Sequence, residues 1–315
     1  MLDKLNLFLQ KYIAVLTPLS LVLGVIFEHV GHQLLFLVTW MFAFMTFSGS
    51  LNMQVKDIHV FKKHPYLILG SILFLHLLMP LWAYFLASAT FNDHLLTIGF
   101  TVFVAVPTGV TSMIWIHICK GNMPLGLSII LIDTLLAPLL MPLLLFIVSG
   151  EKIELDAAAL IVDLLLMIVL PTVAGVLANE LTKGALPRKI GKKLAPFSKL
   201  CLFSVVAINS SAIAPYLKTI NWQLAKVLLL VLIIAVSGYL FALLIGRYMI
   251  KDHARAAAFV YTGGMRNIAL GVIVATTYFP SKVAMPVVFG MLFQQVLASL
   301  FSKLLLKRAH NASHA

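Results

Sequence analysis

The chain has 315 residues, of which 61% are hydrophobic and 11% charged, and a formal net charge of +12. Soluble domains carry roughly 25% charged residues, so the composition excludes a soluble globular enzyme. The positive balance needs no nucleic acid, because basic loops beside anionic lipid headgroups account for it.

The apolar residues fall in runs near the length of a membrane span, about 20 residues, and in lipid such runs must be helical to satisfy their own backbone. Ten spans are predicted, at 12–30, 33–53, 65–90, 95–119, 122–149, 157–180, 197–217, 223–249, 255–279 and 283–306. The first carries Pro18, Gly24 and Glu28. It is too long for a signal-peptide apolar region and lacks a small-residue cleavage site. Short gaps at Gly31–His32 and Gly121–Asn122 separate spans 1 from 2 and 4 from 5. Span 3 contains His76, expected to be a satisfied buried histidine. Span 4 is interrupted by Pro107-Thr108-Gly109, with Thr111 and Ser112 following, and span 5 carries Asp133.

Span 6 contains Asp163 and then Pro171, Gly175 and Glu180, echoing the order in span 1. Residues 183–196, with the basic run Arg188–Lys193, are expected to be a cytoplasmic loop. Span 7 holds the polar patch Asn209-Ser210-Ser211, able to line a cavity or to bond between helices. Span 9 holds Thr262-Gly263-Gly264, then Arg266 and Asn267. Cys119 and Cys201 are isolated and point to neither metal nor redox chemistry. The Asn311-Ala312-Ser313 triplet lies on a cytoplasmic tail, where no glycan is expected.

Basic residues test this map. With both termini and the even-numbered loops on one side, that side holds 18 of the 23 Lys and Arg. The other side holds Lys152, Lys218, Lys226 and Lys282, and Arg266 lies inside a span. The bias puts both termini in the cytoplasm of a plasma (inner) membrane protein.

Ten spans divide into five plus five, and an odd number per half inverts the second. Residues 1–150 form the first repeat. Residues 151–182 begin the second with span 6, 183–196 are the basic loop, 197–308 complete the repeat, and 309–315 are a tail. Spans 4 and 9 correspond, and both are interrupted near their middles. Residues 107–109 and 262–264 are expected to be non-helical and to meet near mid-bilayer. Paired breaks of this kind point to a transporter's binding site, since unwound backbone is tolerated only inside protein or beside water. Alone, Pro107 could merely kink a helix and Gly263-Gly264 merely let helices pack. The polar residues at both breaks argue for a site built from Thr108, Gly109, Thr111, Ser112, Thr262, Gly263, Gly264, Arg266 and Asn267, with Asn209 and Asp133 nearby. An arginine near mid-membrane needs a cavity or a partner. Asp133 is the nearest candidate partner and Asp163 the second, and either a static pair or a substrate or coupling role is open.

Several landmarks carry a resemblance. Lys63-His64-Pro65 leads into span 3, Met79-Pro80 lies within it, and Pro107 through Ser112 forms the first interruption. Gly121-Asn122 precedes span 5, Pro138 through Pro142 lies inside it, and Gly264-Met265 with Asn267 forms the second interruption. In order and spacing the chain resembles the bile acid:sodium symporter family, bacterial branch. The resemblance implies two inverted five-helix repeats, a panel of spans 1, 2, 6 and 7, and a core of spans 3–5 and 8–10 in which the broken helices cross. It also implies secondary transport of an organic anion, with sodium as the usual coupling ion and no further cofactor.

At the positions that hold sodium in such relatives the chain departs from the pattern. Leu75, Met113, Gly126, Ile130, Thr262 and Arg266 stand where amide, hydroxyl or carboxylate ligands are expected, and only Ser112 and Asn267 match. A hard cation wants oxygen ligands, and a neighbouring guanidinium repels it. The expectation is an organic-anion carrier in which Arg266 takes the place of a sodium ion. Coupling is to protons, with Asp133 titrating, or absent; the alternative is sodium held by backbone carbonyls. A channel or sensor is the rival from another class. No HExxH or Gly-x-Ser-x-Gly motif supports an enzyme, and partners other than lipid and substrate are unreadable.

Overall fold

A computed structural model describes residues 2–56, 60–150, 155–217 and 221–312, with no account of the side chains of Ala14, Tyr216 and Leu217 or of those beyond Leu306. The described residues form helices joined by short non-helical segments, the one β-type contact among them being an isolated bridge. Helices α1 (Leu2–Lys11), α2 (Ile13–Ile26), α3 (Glu28–Gln33) and α4 (Leu35–Ser50) come first. Next are α5 (Val60–Lys63), then α6 (Pro65–Leu73) and α7 (Met79–Thr90) joined through a π turn at Phe74–Leu78. Then come α8 (His94–Ala105), α9 (Ser112–Ile118) and α10 (Met123–Ser149).

The second half begins with α11 (Ala157–Leu164) and α12 (Leu170–Leu181), joined by a π turn at Leu165–Val169. It continues with α13 (Lys192–Ser211), α14 (Ala214–Leu217) and α15 (Trp222–Ile245), then α16 (His253–Gly264), α17 (Ile268–Tyr278) and α18 (Ala284–Ala312). Six continuous helical stretches are long and apolar enough to cross a membrane: Pro65–Thr90, Met123–Ser149, Ala157–Leu181, Pro187–Ser211, Trp222–Ile250 and Ser281–Leu306. Helices α4, α8 and α17 are apolar but shorter. An all-helical chain with this many lipid-length helices is built for a membrane.

Local chemistry explains the boundaries. Asp93, Asn122, Asp156, Asn221 and Asp252 each accept a bond from the backbone N–H three residues on, capping α8, α10, α11, α15 and α16. Asp93 also receives the Lys282 ammonium at 2.5 Å, tying the start of α8 to the segment before α18. Burial pushes the Asp93 carboxyl up, but Lys282 and the Leu96 amide outweigh it and hold the group below the usual carboxylate range. Two of the four π turns among the described residues lie immediately before Leu170-Pro171 and Met79-Pro80. A proline ring crowds the carbonyl four residues back and offers it no N–H, and a wider turn relieves both problems.

Three expectations need correction. Residues 262–264 are helical, as the last residues of α16, and the second interruption is Met265–Asn267. Gly263 and Gly264 do not unwind the helix. They let aromatic rings lie on it: a Cβ on Gly264 would sit 2.5 Å from the Tyr239 ring, and one on Gly263 would sit 2.9 Å from Phe74. Residues 183–196 are not a loop, because helix runs from Pro187 into α13. The gap expected at Gly31–His32 falls inside α3, and the chain turns instead at Leu34. Lys152 and Lys218 lie outside the described residues.

Helices α2, α3, α4, α12 and α13 pack on one another, while α6 to α10 and α15 to α18 form a second packed group. Between the groups lies a cavity of about 510 Å³.

Candidate functional site

The cavity floor is made by the two helix interruptions. The chain leaves helix after Ala105 and re-enters at Ser112; it leaves again after Gly264 and re-enters at Ile268. The two breaks run antiparallel, with Thr108 opposite Arg266. Gly109 N donates to the Met265 carbonyl at 3.1 Å, and Asn267 N donates to the Pro107 carbonyl at 2.7 Å. Each break thus satisfies the backbone groups that the other exposes, as non-helical chain in an apolar medium requires. Gly109 is needed here for space, since a Cβ would lie 2.9 Å from the Arg266 carbonyl oxygen.

Side chains lock the crossing. Thr108 Oγ1 donates to the Thr262 carbonyl at 3.0 Å, and Thr108 N donates to Asp133 Oδ2 at 2.6 Å. The second Asp133 oxygen lies 2.5 Å from His76 Nε2. Both side chains are shielded, at 7% and 0% exposure for His76 and Asp133. Gln294 on α18 accepts from Arg266 N at 2.9 Å.

Arg266 itself is buried, and neither terminal guanidinium nitrogen has a hydrogen-bond partner among the described residues. Asp133, the nearest candidate partner, makes no ion pair with Arg266, being engaged by His76 and the Thr108 amide. The second candidate, Asp163, is likewise engaged, accepting from Tyr278 Oη at 2.5 Å. The arginine thus stands as a buried charge at the crossing.

Of the residues singled out from sequence, Gly109, Thr111, Arg266 and Asn267 line the 510 Å³ cavity. Thr108, Asp133 and Thr262 stand behind the crossing as its supports. Thr262 turns its hydroxyl to the Ala258 and Phe259 carbonyls of its own helix. Ser112 Oγ is buried without a partner among the described residues, as is Asn209 Nδ2, which does not reach the cavity. Sequence reasoning missed Gln294 and Gln295, which line the cavity from α18, and Lys199, which lines it from α13. A Gln-Gln pair in the middle of an apolar span was the available signal.

At the positions that the family resemblance marks for sodium, the side chains present fit the ion poorly. Gly126, Ile130, Leu75 and Met113 offer no oxygen. The one buried carboxylate among the described residues, Asp133, already serves His76 and Thr108, and Arg266 brings a guanidinium to the crossing. Among the described residues no carboxylate lines the cavity, whereas Arg266 and Lys199 do.

Residues 39–220 match the family described as the Sodium Bile acid symporter family. The chain is 44% identical over 291 residues to YbaS of Bacillus subtilis, which is described as uncharacterized. The match covers 92% of this chain and 95% of that protein. It is 23% identical to YocS of the same organism, described as an uncharacterized sodium-dependent transporter, over 83% of each chain. It is 25% identical to the human ileal sodium/bile acid cotransporter, over 84% of this chain and 77% of that protein.

Proposed function

The chain belongs to the Sodium Bile acid symporter family, a family of transporters rather than enzymes, and from that membership we propose that it carries a small or amphipathic organic anion by alternating access without sodium at the usual two sites. Arg266 stands in for the cation. The observation that carries this reading is a buried, unpaired guanidinium at the crossing, beside a cavity lined by two cations and otherwise mostly by apolar side chains. A guanidinium suits a carboxylate or similar group through its planar set of donors, and the apolar walls suit the rest of an amphipathic molecule.

The two packed groups of helices support a panel of spans 1, 2, 6 and 7 rocking against a core of spans 3–5 and 8–10, arranged as inverted five-helix repeats. With the basic residues inside, both termini are cytoplasmic in the plasma membrane. Gly191 and Lys199, which that map puts toward the cytoplasm, are among the lining residues, as an inward-facing cavity requires. A second reading keeps sodium, held by backbone carbonyls; the unpartnered Ser112 hydroxyl favours it.

Thermal stability of the purified protein in sodium-free potassium buffer tests the proposal. A panel of monocarboxylates, from short hydroxy acids to bile acids, is compared with the corresponding neutral amides. One acid class raises the unfolding midpoint by roughly 5 °C at a hundredfold excess over its Kd, and its amide leaves it unchanged. Equal effects of acid and amide, or stabilisation only when sodium is added, contradict the proposal.

A further inference from the structure

The Asp133 carboxylate joins two things that a carrier must couple. One oxygen holds the Thr108 amide, and with it the crossing; the other faces His76 Nε2. His76 Nδ1 is buried and has no partner among the described residues. His76 sits in the π turn before Pro80, where the helix is widened. Imidazole is the side chain whose ordinary titration falls near neutrality.

Charge counting gives the pair a task. The mutually interacting ionisable groups around the crossing are His76, Asp133, Arg266 and Tyr239. With His76 neutral, the Asp133 carboxylate and the Arg266 guanidinium balance. A bound anion leaves the cluster one negative charge in excess, in surroundings where net charge is costly. A proton on His76 restores the balance.

Other titratable groups on the elements packed against α10 and the π turn are committed elsewhere or exposed. Asp163 is held by Tyr278, His94 by the Ser149 carbonyl and His253 by the Cys119 carbonyl. Arg255 pairs with Asp252, and Tyr261 Oη bonds the Ala298 carbonyl and meets Cys119 Sγ. Lys62, Lys63, Tyr66, Tyr84 and His117 are exposed.

We infer that His76 and Asp133 form the proton site of this carrier, taking up one proton as the anion is drawn toward Arg266 and releasing it when the anion leaves. The inference rests on the anion-carrier proposal. It makes transport of a monoanion electroneutral, with the proton drawn from water on the side of entry and returned to water on the other. By linkage the coupling is reciprocal: a tenfold gain in proton affinity on anion binding is a tenfold gain in anion affinity on protonation.

The test is a pH titration, from 5 to 9, of the histidine ring nitrogens in ¹⁵N-labelled full-length protein in detergent. His76→Gln assigns the signal; if that variant does not fold, the signal is assigned by elimination, with the other histidines replaced one at a time. The expected result is that Asp133→Asn lowers the proton affinity of the His76 ring about tenfold or more, as loss of an adjacent opposite charge does. The panel acid that stabilises the protein raises that affinity by a similar factor. A ring that keeps one state from pH 5 to 9, a midpoint unmoved by Asp133→Asn, or a stabilising acid that leaves the midpoint unchanged overturns the inference. If no acid in the panel stabilises the protein, the anion-carrier proposal fails instead, and the ligand-free titration still decides whether the pair is a proton site.

Discussion

Arg266→Gln is expected to reduce anion uptake by about a hundredfold while leaving the protein at least as stable as before. A charge-assisted hydrogen bond contributes roughly 1.5–3 kcal/mol, and two bonds from one guanidinium to one anionic group readily reach the size of a hundredfold loss. Stability moves the other way. The guanidinium is buried with both terminal nitrogens unpartnered, and a charged donor left unsatisfied in the interior costs about 1–3 kcal/mol or more. Glutamine removes that charge and keeps the contacts that hold the crossing, which belong to the backbone: the Thr108 bridge and the bond from Arg266 N to Gln294. Uptake into proteoliposomes, measured beside the unfolding midpoint, separates the two effects. Wild-type uptake in the variant would remove Arg266 from the mechanism, and parallel loss of uptake and stability would make it a structural residue.

Gly109→Val is expected to abolish transport and to destabilise the protein by about 1–3 kcal/mol, the usual cost of forced overpacking. The new Cβ would lie 2.9 Å from the Arg266 carbonyl oxygen and 3.3 Å from its carbon. Neither chain can retreat without lengthening the bonds from Gly109 N to Met265 and from Asn267 N to Pro107. Gly70→Ala is the control, since a Cβ there meets nothing within 4 Å. That change is neutral or stabilises by up to about 1 kcal/mol through helix propensity. Normal uptake by Gly109→Val would mean that the breaks do not stay crossed during transport.

Much of this fold was legible because apolar runs and their punctuation are local. The run from Pro65 to Thr90 was bounded correctly at both ends, and Pro107 marked the first interruption. The second was misplaced by about three residues, for a physical reason. Gly263 and Gly264 suggested an unwound helix, but their helix is held by packing from Phe74 and Tyr239. What ends it is the antiparallel partner offered by Pro107 and Gly109, more than 150 residues away in the chain. The fate of Asp133 was equally non-local. Arg266 looked like its natural partner by charge, whereas the fold brings His76 to it across 57 positions. The basic stretch from Lys183 to Pro196 read as a loop because charge density imitates one; its helix is extended from α13, with the lysines largely exposed. The family resemblance was visible in landmarks such as Lys63-His64-Pro65 and Gly264-Met265, and so were the residues, Met113 and Arg266 among them, from which the sodium-free proposal starts.

The central claim is that a fixed guanidinium does the work of a coupling cation. At about 4 Å and an effective dielectric near 20, the repulsion between Arg266 and a monovalent cation is roughly 4 kcal/mol, enough to offset several neutral oxygen ligands. The direct measurement is uptake of the stabilising acid by unmodified protein in proteoliposomes, at fixed pH, with sodium replaced by potassium or choline. Saturable uptake and counterflow that are unchanged by the replacement are the predicted result. A steep sodium requirement with a Hill coefficient near two would contradict it.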